Sequence, residues 1–261
     1  MRANSDLDGA LRARGAVYLD SVDSTNAVAK RMARAGAPHG TLVIAGEQTQ
    51  GRGRRGRSWV SPPGAGVWMT LLVRPQALSA ARASELVFVS AVALCQACRD
   101  LSGLDVGIKW PNDLVAQGKK ISGTLLEMQS DEKLTQWAVI GSGVNVTGVA
   151  FPPDLPHAGS LEGLSGREID RDALCLDYLN RFEAVYARWA KLGLAGIMQD
   201  YRALSVTLGA RVRARCANGV EYEGVALKMD GAGELVIQTG DGQFVTLSAG
   251  DVSVRGIMGY V

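Results

Sequence analysis

The spacing of apolar residues divides the chain into two stretches with different rhythms. In the first, strand-length apolar runs alternate with helical periodicity. Residues 17–20 predict a strand, and Asp23, Ser24, Thr25 and Asn26 read as an N-cap cluster for a helix running to about residue 35, where Gly36 and Pro38 stop it. Residues 41–48 and 67–74 predict strands, the second closed by Pro75. Residues 83–101 predict a long apolar helix ended by Gly103, and residues 106–110 a short strand. Residues 119–129 and 134–146 flank the polar run Ser130, Asp131, Glu132, Lys133, the pattern of an antiparallel pair. Residues 147–159, rich in proline and glycine, form a loop of a length that compact domains reserve for function or motion. Over residues 172–192, Leu174, Tyr178, Phe182, Val185 and Trp189 recur every three or four positions on one helical face. A shorter helical stretch closes near Leu204.

After Gly209 the rhythm shortens. Residues 211–216, 220–229, 234–239, 243–247 and 252–255 are β-like runs punctuated by Asn218-Gly219, Asp230-Gly231 and Asp241-Gly242. They predict a small antiparallel barrel or sandwich, with the boundary near residue 207.

Composition narrows the class. With 261 residues, 47% hydrophobic and 21% charged, the chain has the make-up of an ordinary globular protein with ample core. A formal net charge of +2 makes positive charge local, which argues against a general nucleic-acid-binding surface. No uninterrupted apolar run approaches the roughly 20 residues of a membrane span, and residues 1–14 lack the apolar core of a signal peptide. A cytoplasmic setting is therefore expected, with Cys95, Cys98, Cys175 and Cys216 as free thiols. Cys95 and Cys98 sit on the apolar helix without a second pair or a nearby histidine, so they read as core rather than as zinc ligands. His39 and His157 do not suggest a histidine-based triad.

Candidate chemistry concentrates in Gly51-Arg52-Gly53-Arg54-Arg55-Gly56-Arg57-Ser58-Trp59, four arginines among three glycines. Arginine matches carboxylates and phosphates in two-point contact, and glycine lets backbone approach a ligand closely. The glycines satisfy G-x-G-x-x-G, and the run comes within one residue of a P-loop. Ser61-Pro62-Pro63-Gly64 follows, however, where either motif needs a helix. Three further segments carry polar groups at strand ends: Lys109-Trp110-Pro111-Asn112-Asp113, Gly118-Lys119-Lys120-Ile121-Ser122-Gly123 and Gly141-Ser142-Gly143-Val144-Asn145. Each alone has a bland reading as a turn, a solvated hairpin or a capped strand end.

Together these segments resemble the biotin protein ligases. The resemblance rests on Ser24-Thr25-Asn26, on Gln48 with the arginine-glycine run, on residues 109–113, on residues 118–127 and on residues 141–145, in the family's order and spacing. It implies an α+β fold. A catalytic domain related to class II aminoacyl-tRNA synthetases, a mixed sheet backed by helices, spans residues 1–207, and a small SH3-like β-barrel spans residues 208–261. It further implies ATP and biotin as substrates, Mg²⁺ as a helper and no prosthetic group. Biotin would be activated as biotinyl-5′-AMP and passed to a lysine of a biotin carboxyl carrier protein or carboxylase domain.

Residue by residue, the resemblance implies that Ser24, Thr25 and Gln48 meet the ring of biotin, with backbone from Gly51 and Gly123. Asn26 joins them or merely caps its helix, the second reading being favoured. Arg52, Gly53 and Arg54 would wrap carboxylate and phosphate, Lys120 would reach the reacting oxygens, and Trp59 would wall the biotin chain. Asn112 and Asn145 would face the nucleotide, Asp113 would hold metal or orient the incoming lysine, and Arg255 would lie near the nucleotide. Arg55 and Arg57 are expected to be solvated or to brace the loop. Some twenty residues before the first motif are too few for the winged helix-turn-helix of repressor-type relatives, so a ligase without DNA binding is expected. A homodimer remains open, and no membrane partner is implied. Lys228 is expected on the barrel surface. The competing readings are a lipoate or octanoate ligase and, from another class, a nucleic-acid module using the arginine loop.

Overall fold

One strand decides the layering. β3 (Gly66–Val73) is buried along its whole length, so it lies between two layers. Because successive side chains of a strand point to opposite faces, Val67, Met69, Leu71 and Val73 join one core and Leu72 joins another. The computed structural model describes residues 5–148, 151–249, 252–256 and 260.

Around β3 a seven-stranded mixed sheet forms in the order β1 (Ala16–Val22), β2 (Leu42–Gln48), β3, β7 (Thr135–Asn145), β6 (Lys119–Ser130), β5 (Asp113–Ala116) and β4 (Gly107–Lys109). Only β1 and β2 run parallel; β6 and β7 make the expected antiparallel pair. Helices α3 (Glu85–Ser102) and α5 (Arg171–Leu192) cover one face through Leu86, Val89, Tyr178 and Phe182. Helix α2 (Thr25–Arg34) covers part of the other, with Val28, Ala29 and Ala33 against Val43, Leu72, Trp137 and Val139. Each fully buried Leu, Val or Phe among them contributes about 1.5–3 kcal/mol. What α2 leaves uncovered on that face becomes the cleft.

Several expectations need adjusting. Residues 80–102 are, by length and composition, apolar enough to cross a membrane, although polar residues interrupt them; 72% of an 18-residue apolar stretch within them is buried, as in a core helix. A short helix α1 (Ser5–Ala13) precedes β1, and α4 (Leu161–Ser165) and α6 (Met198–Leu204) flank α5. The expected strand at 106–110 narrows to β4, and β5 is an additional strand paired between β4 and β6. Cys95, Cys98 and Cys175 are buried, Cys216 is partly buried, and all four are free. Burial pushes the Cys95 thiol up to about 12, so it is inert.

The final stretch forms a five-stranded antiparallel sheet ordered β11 (Phe244–Leu247), β10 (Leu235–Thr239), β9 (Glu221–Met229), β8 (Arg211–Cys216) and β12 (Val252–Gly256). Lys228 is exposed on it. Trp110 joins this sheet to the first: its backbone N–H donates to Thr207 Oγ1 at 2.9 Å and its indole N–H to the Gly233 carbonyl at 3.0 Å.

Candidate functional site

The floor of the cleft is made of glycine. Across β3, β7 and β6 the register aligns Trp68 with Gly143 and Gly123, and Thr70 with Gly141 and Leu125. A Cβ on Gly141 would lie 2.0 Å from Asn26 Oδ1, and one on Gly143 would lie 2.3 Å from Trp59 Nε1. Any side chain there would fill the space that Asn26 and Trp59 occupy. Above this floor lies a cavity of ≈ 470 Å³.

One wall is neutral and hydrogen-bonded. β1 delivers the chain to α2, whose N-cap Ser24 makes no side-chain capping bond; Asp23 instead accepts the Ser24 N–H at 2.8 Å. Thr25 N–H donates to Gln48 Oε1 at 2.9 Å, and Gln48 Nε2 donates to Ser61 Oγ at 2.9 Å. Asn26 is no cap, contrary to the favoured sequence reading. It lies inside the helix, 4% exposed, with Oδ1 2.7 Å from Thr70 Oγ1 and Nδ2 2.9 Å from Glu127 Oε2. An N-cap asparagine would bond backbone N–H groups of its own first turn; this one bonds the sheet.

The arginine-glycine run closes on itself as a hairpin. Arg52 pairs with Ser58, Gly53 N–H donates to the Arg57 carbonyl at 2.7 Å, and a one-turn 3₁₀ helix (Arg54–Gly56) forms the tip. Arg55 holds a left-handed φ of 58° there. Arg54 turns inward: Nη1 donates to Asn112 Oδ1 at 2.7 Å and Nη2 to the Ala249 carbonyl. Asn112 in turn donates to the Thr124 carbonyl at 2.6 Å, so the guanidinium is aimed before any ligand arrives. Arg52, Arg55 and Arg57 are exposed. Gly51 packs behind the wall, where a Cβ would meet the Trp59 carbonyl at 2.2 Å, and it does not line the cavity.

The opposite wall is cationic. Lys120 Nζ lies 2.7 Å from Asp113 Oδ1 and 5.3 Å from the centre of the Trp59 ring. Tyr260 donates to Asp113 Oδ2 at 2.5 Å, and Lys109 Nζ sits 3.7 Å over the Tyr260 ring. Burial pushes the Asp113 carboxyl up, but Lys120, Lys109 and the Tyr260 bond outweigh it and hold the group below its ordinary value. Burial pushes Lys109 down to about 8, aided by Lys120, Arg255 and Arg57 and opposed by Asp113.

The 151–159 segment lies along β6. Lys120 N–H donates to the His157 carbonyl at 2.6 Å, and Gly159 N–H to the Lys120 carbonyl at 2.9 Å. Asn145 spends its amide on this segment, donating to the Gly159 carbonyl at 3.0 Å. Val149 and Ala150, also in the expected loop, lie outside the described residues.

Apart from Gly51, every expected site residue lines the one cavity, Arg255 included. Asp113 does not fit the metal-holding alternative: both its oxygens are engaged and two ammonium groups flank it. No cluster of three potential metal ligands occurs among the described residues. Lys109 and Glu127 lay within the motifs without a role of their own, and Thr70, Lys30 and Tyr260 lay outside them. Thr70 had a signal, as the one hydroxyl in the apolar run of β3.

A neutral amide wall facing a ring of cations over a glycine floor suits an enzyme that seats a polar ring and brings two anions together. The chain matches the Biotin/lipoate A/B protein ligase family over residues 18–145. It is 38% identical to the bifunctional ligase/repressor BirA of Bacillus spizizenii over 229 residues, which are 87% of this chain and 70% of that protein. It is 36% identical to the biotin–[acetyl-CoA-carboxylase] ligase of Paracoccus denitrificans over 88% of this chain and 97% of that one. The biotin protein ligase from Aquifex aeolicus in complex with biotin and ATP superposes with a TM-score of 0.81 at 25% identity, covering 93% and 99% of the two chains. The chain belongs to the biotin protein ligase family.

Proposed function

We propose that the protein is an ATP-dependent biotin protein ligase. The observation that carries this reading is one cavity shared by the neutral Thr25–Gln48 wall and by Arg52, Arg54 and Lys120. A carboxylate oxygen of biotin attacks the α-phosphorus of ATP, the bond to the leaving pyrophosphate breaks, and biotinyl-5′-AMP remains. A lysine amine of a carboxylase carrier domain then attacks the acyl carbon, loses its proton, and AMP leaves.

Ser24, Thr25 and Gln48 seat the ring, with Gly123 and Gly53 giving close backbone approach and Trp59 walling the chain. Two anions repel each other, so cations held where they meet lower the barrier; Arg52, Arg54 and Lys120 have that part. Asn112 acts by aiming Arg54, Asn145 by fastening the 151–159 segment, and Asp113 by orienting Lys120. Arg255 borders the nucleotide end. Mg²⁺ is the expected companion of ATP, but the donors here do not hold it by themselves, and no step is assigned to it.

The proposal extends to a catalytic domain over residues 1–207, an SH3-like barrel over residues 208–261 and a cytoplasmic location. No DNA partner is included, since the net charge is only +2. β1 ends the larger sheet on one side, where a second copy would pair in a homodimer.

ATP–pyrophosphate exchange that depends on biotin is the expected result; exchange with lipoate alone would sink the reading. The pH dependence gives a separate check. As pH rises through about 8, Lys109 loses its proton and the cleft a positive charge. KM for ATP should therefore climb on the alkaline side, and Lys109→Met should flatten that climb. An identical alkaline limb in the variant would contradict Lys109 as its source.

A further inference from the structure

The two oxygens of Asp113 have different donors. Oδ1 lies 2.7 Å from Lys120 Nζ, and Oδ2 accepts from the Tyr260 hydroxyl at 2.5 Å. Tyr260 is half-buried; Lys109 Nζ lies 3.7 Å over its ring, and the centre of the His157 ring lies 5.6 Å away. Tyr260, Asp113, Lys120 and His157 all line the cavity.

The Tyr260 contact has a fixed direction. Asp113, held below its ordinary value, is ionised and only accepts. Burial and then the Asp113 charge push the Tyr260 phenol up against the pull of Arg255 and Arg57, so it keeps its proton and donates. A primary amine is a donor of the same kind. One bonded to Oδ2 would stand on the same carboxylate as Lys120, the group assigned to the reacting oxygens. A carboxylate oxygen can accept a second bond, but the phenol ring, with Lys109 over it, fills the space beside this one.

We infer that the Tyr260 hydroxyl holds the place of the acceptor amine on Asp113 and has to leave it before transfer, so that biotinyl-5′-AMP is shielded from free amines and open to a docked carrier. The inference rests on the ligase reading above. Exchanging an O–H donor for an N–H donor leaves Asp113 with the same number of hydrogen bonds; what is lost is the contact of the ring with Lys109 and His157. A carrier domain offsets that loss with contacts remote from its lysine, and a small amine has none to offer. In the step itself the amine nitrogen bonds to the acyl carbon, the bond from that carbon to the AMP oxygen breaks, and the proton shed by the nitrogen passes to water.

The test is single-turnover transfer by the full chain, loaded with biotinyl-5′-AMP, to Nα-acetyl-lysine and to a biotin carboxyl carrier domain, with adenylate formation from biotin and ATP timed in the same variant. Tyr260→Phe keeps the ring and removes the hydroxyl. Its ratio of transfer to Nα-acetyl-lysine over adenylate formation should rise by ~10- to 100-fold, the span of one hydrogen bond to a charged group. Transfer to the carrier should rise by less. Tyr260→Ala, which removes the ring as well, should raise the ratio at least as far and carries the test if Tyr260→Phe fails to fold. An unchanged or lower ratio in the folded variants would overturn the inference, an equal slowing of both steps being the mark of a merely structural role. An equal gain with carrier and free lysine would overturn it too. Wild type that forms no adenylate from biotin and ATP would overturn the ligase reading, and this inference with it.

Discussion

Lys120→Ala is expected to slow biotinyl-adenylate formation by about 10²- to 10³-fold, the usual cost of removing one preorganised group aimed at developing charge. Lys120 is held 2.7 Å from Asp113 Oδ1 at the mouth of β6, and its backbone is pinned on both sides by the 151–159 segment. It therefore pays little reorganisation when the anions meet. Lys120→Arg should recover only part of the rate, because a planar fork does not reproduce a compact ammonium. Single-turnover adenylate formation at saturating biotin and ATP measures this directly. Near-wild-type rates in Lys120→Ala would remove the lysine from the chemical step.

The second large effect concerns stability. Trp110 is 3% exposed, donates to Gly233 through its indole and to Thr207 through its backbone, and stands directly before Pro111, Asn112 and Asp113. Trp110→Ala should cost about 3–5 kcal/mol, the range for a buried aromatic truncated to a cavity. In a chain of this size that corresponds to a fall in Tm on the order of 10 °C. Trp110→Phe should keep most of the packing and lose about 1 kcal/mol with the hydrogen bond. Calorimetric melting of both variants separates the contributions. Equal losses would mean that the hydrogen bond, not the packed ring, couples the second sheet to the first. Trp110→Ala should also raise KM for ATP, since Asn112 aims Arg54.

What the sequence made legible follows from how locally each feature is encoded. The α5 stripe from Leu174 to Trp189 and the glycine turns of the second sheet are written in neighbouring residues, and both match the structure within a residue or two. The site segments were legible for the same reason, each being a short cluster at a strand or loop end. β5 and α4 escaped because four or five residues carry too little periodicity to read. Asn26 was misjudged because a cap and a buried amide share the same local sequence. The difference is made by Thr70 and Glu127, 44 and 101 residues away. Tyr260 reaches Asp113 across 147 residues, which no local pattern announces. The bond from Asn145 to the Gly159 carbonyl was not legible, because a polar strand tip says nothing of the segment that returns to meet it.

On the proposed function, this one cavity both activates biotin and hands it on. The most direct measurement is mass spectrometry of a biotin carboxyl carrier domain incubated with the protein, ATP and an equal mixture of biotin and lipoate. One biotinyl group on a single carrier lysine is expected, formed only when ATP is present, with no lipoyl adduct. A lipoyl adduct, or an unmodified carrier alongside ATP turnover, would contradict it.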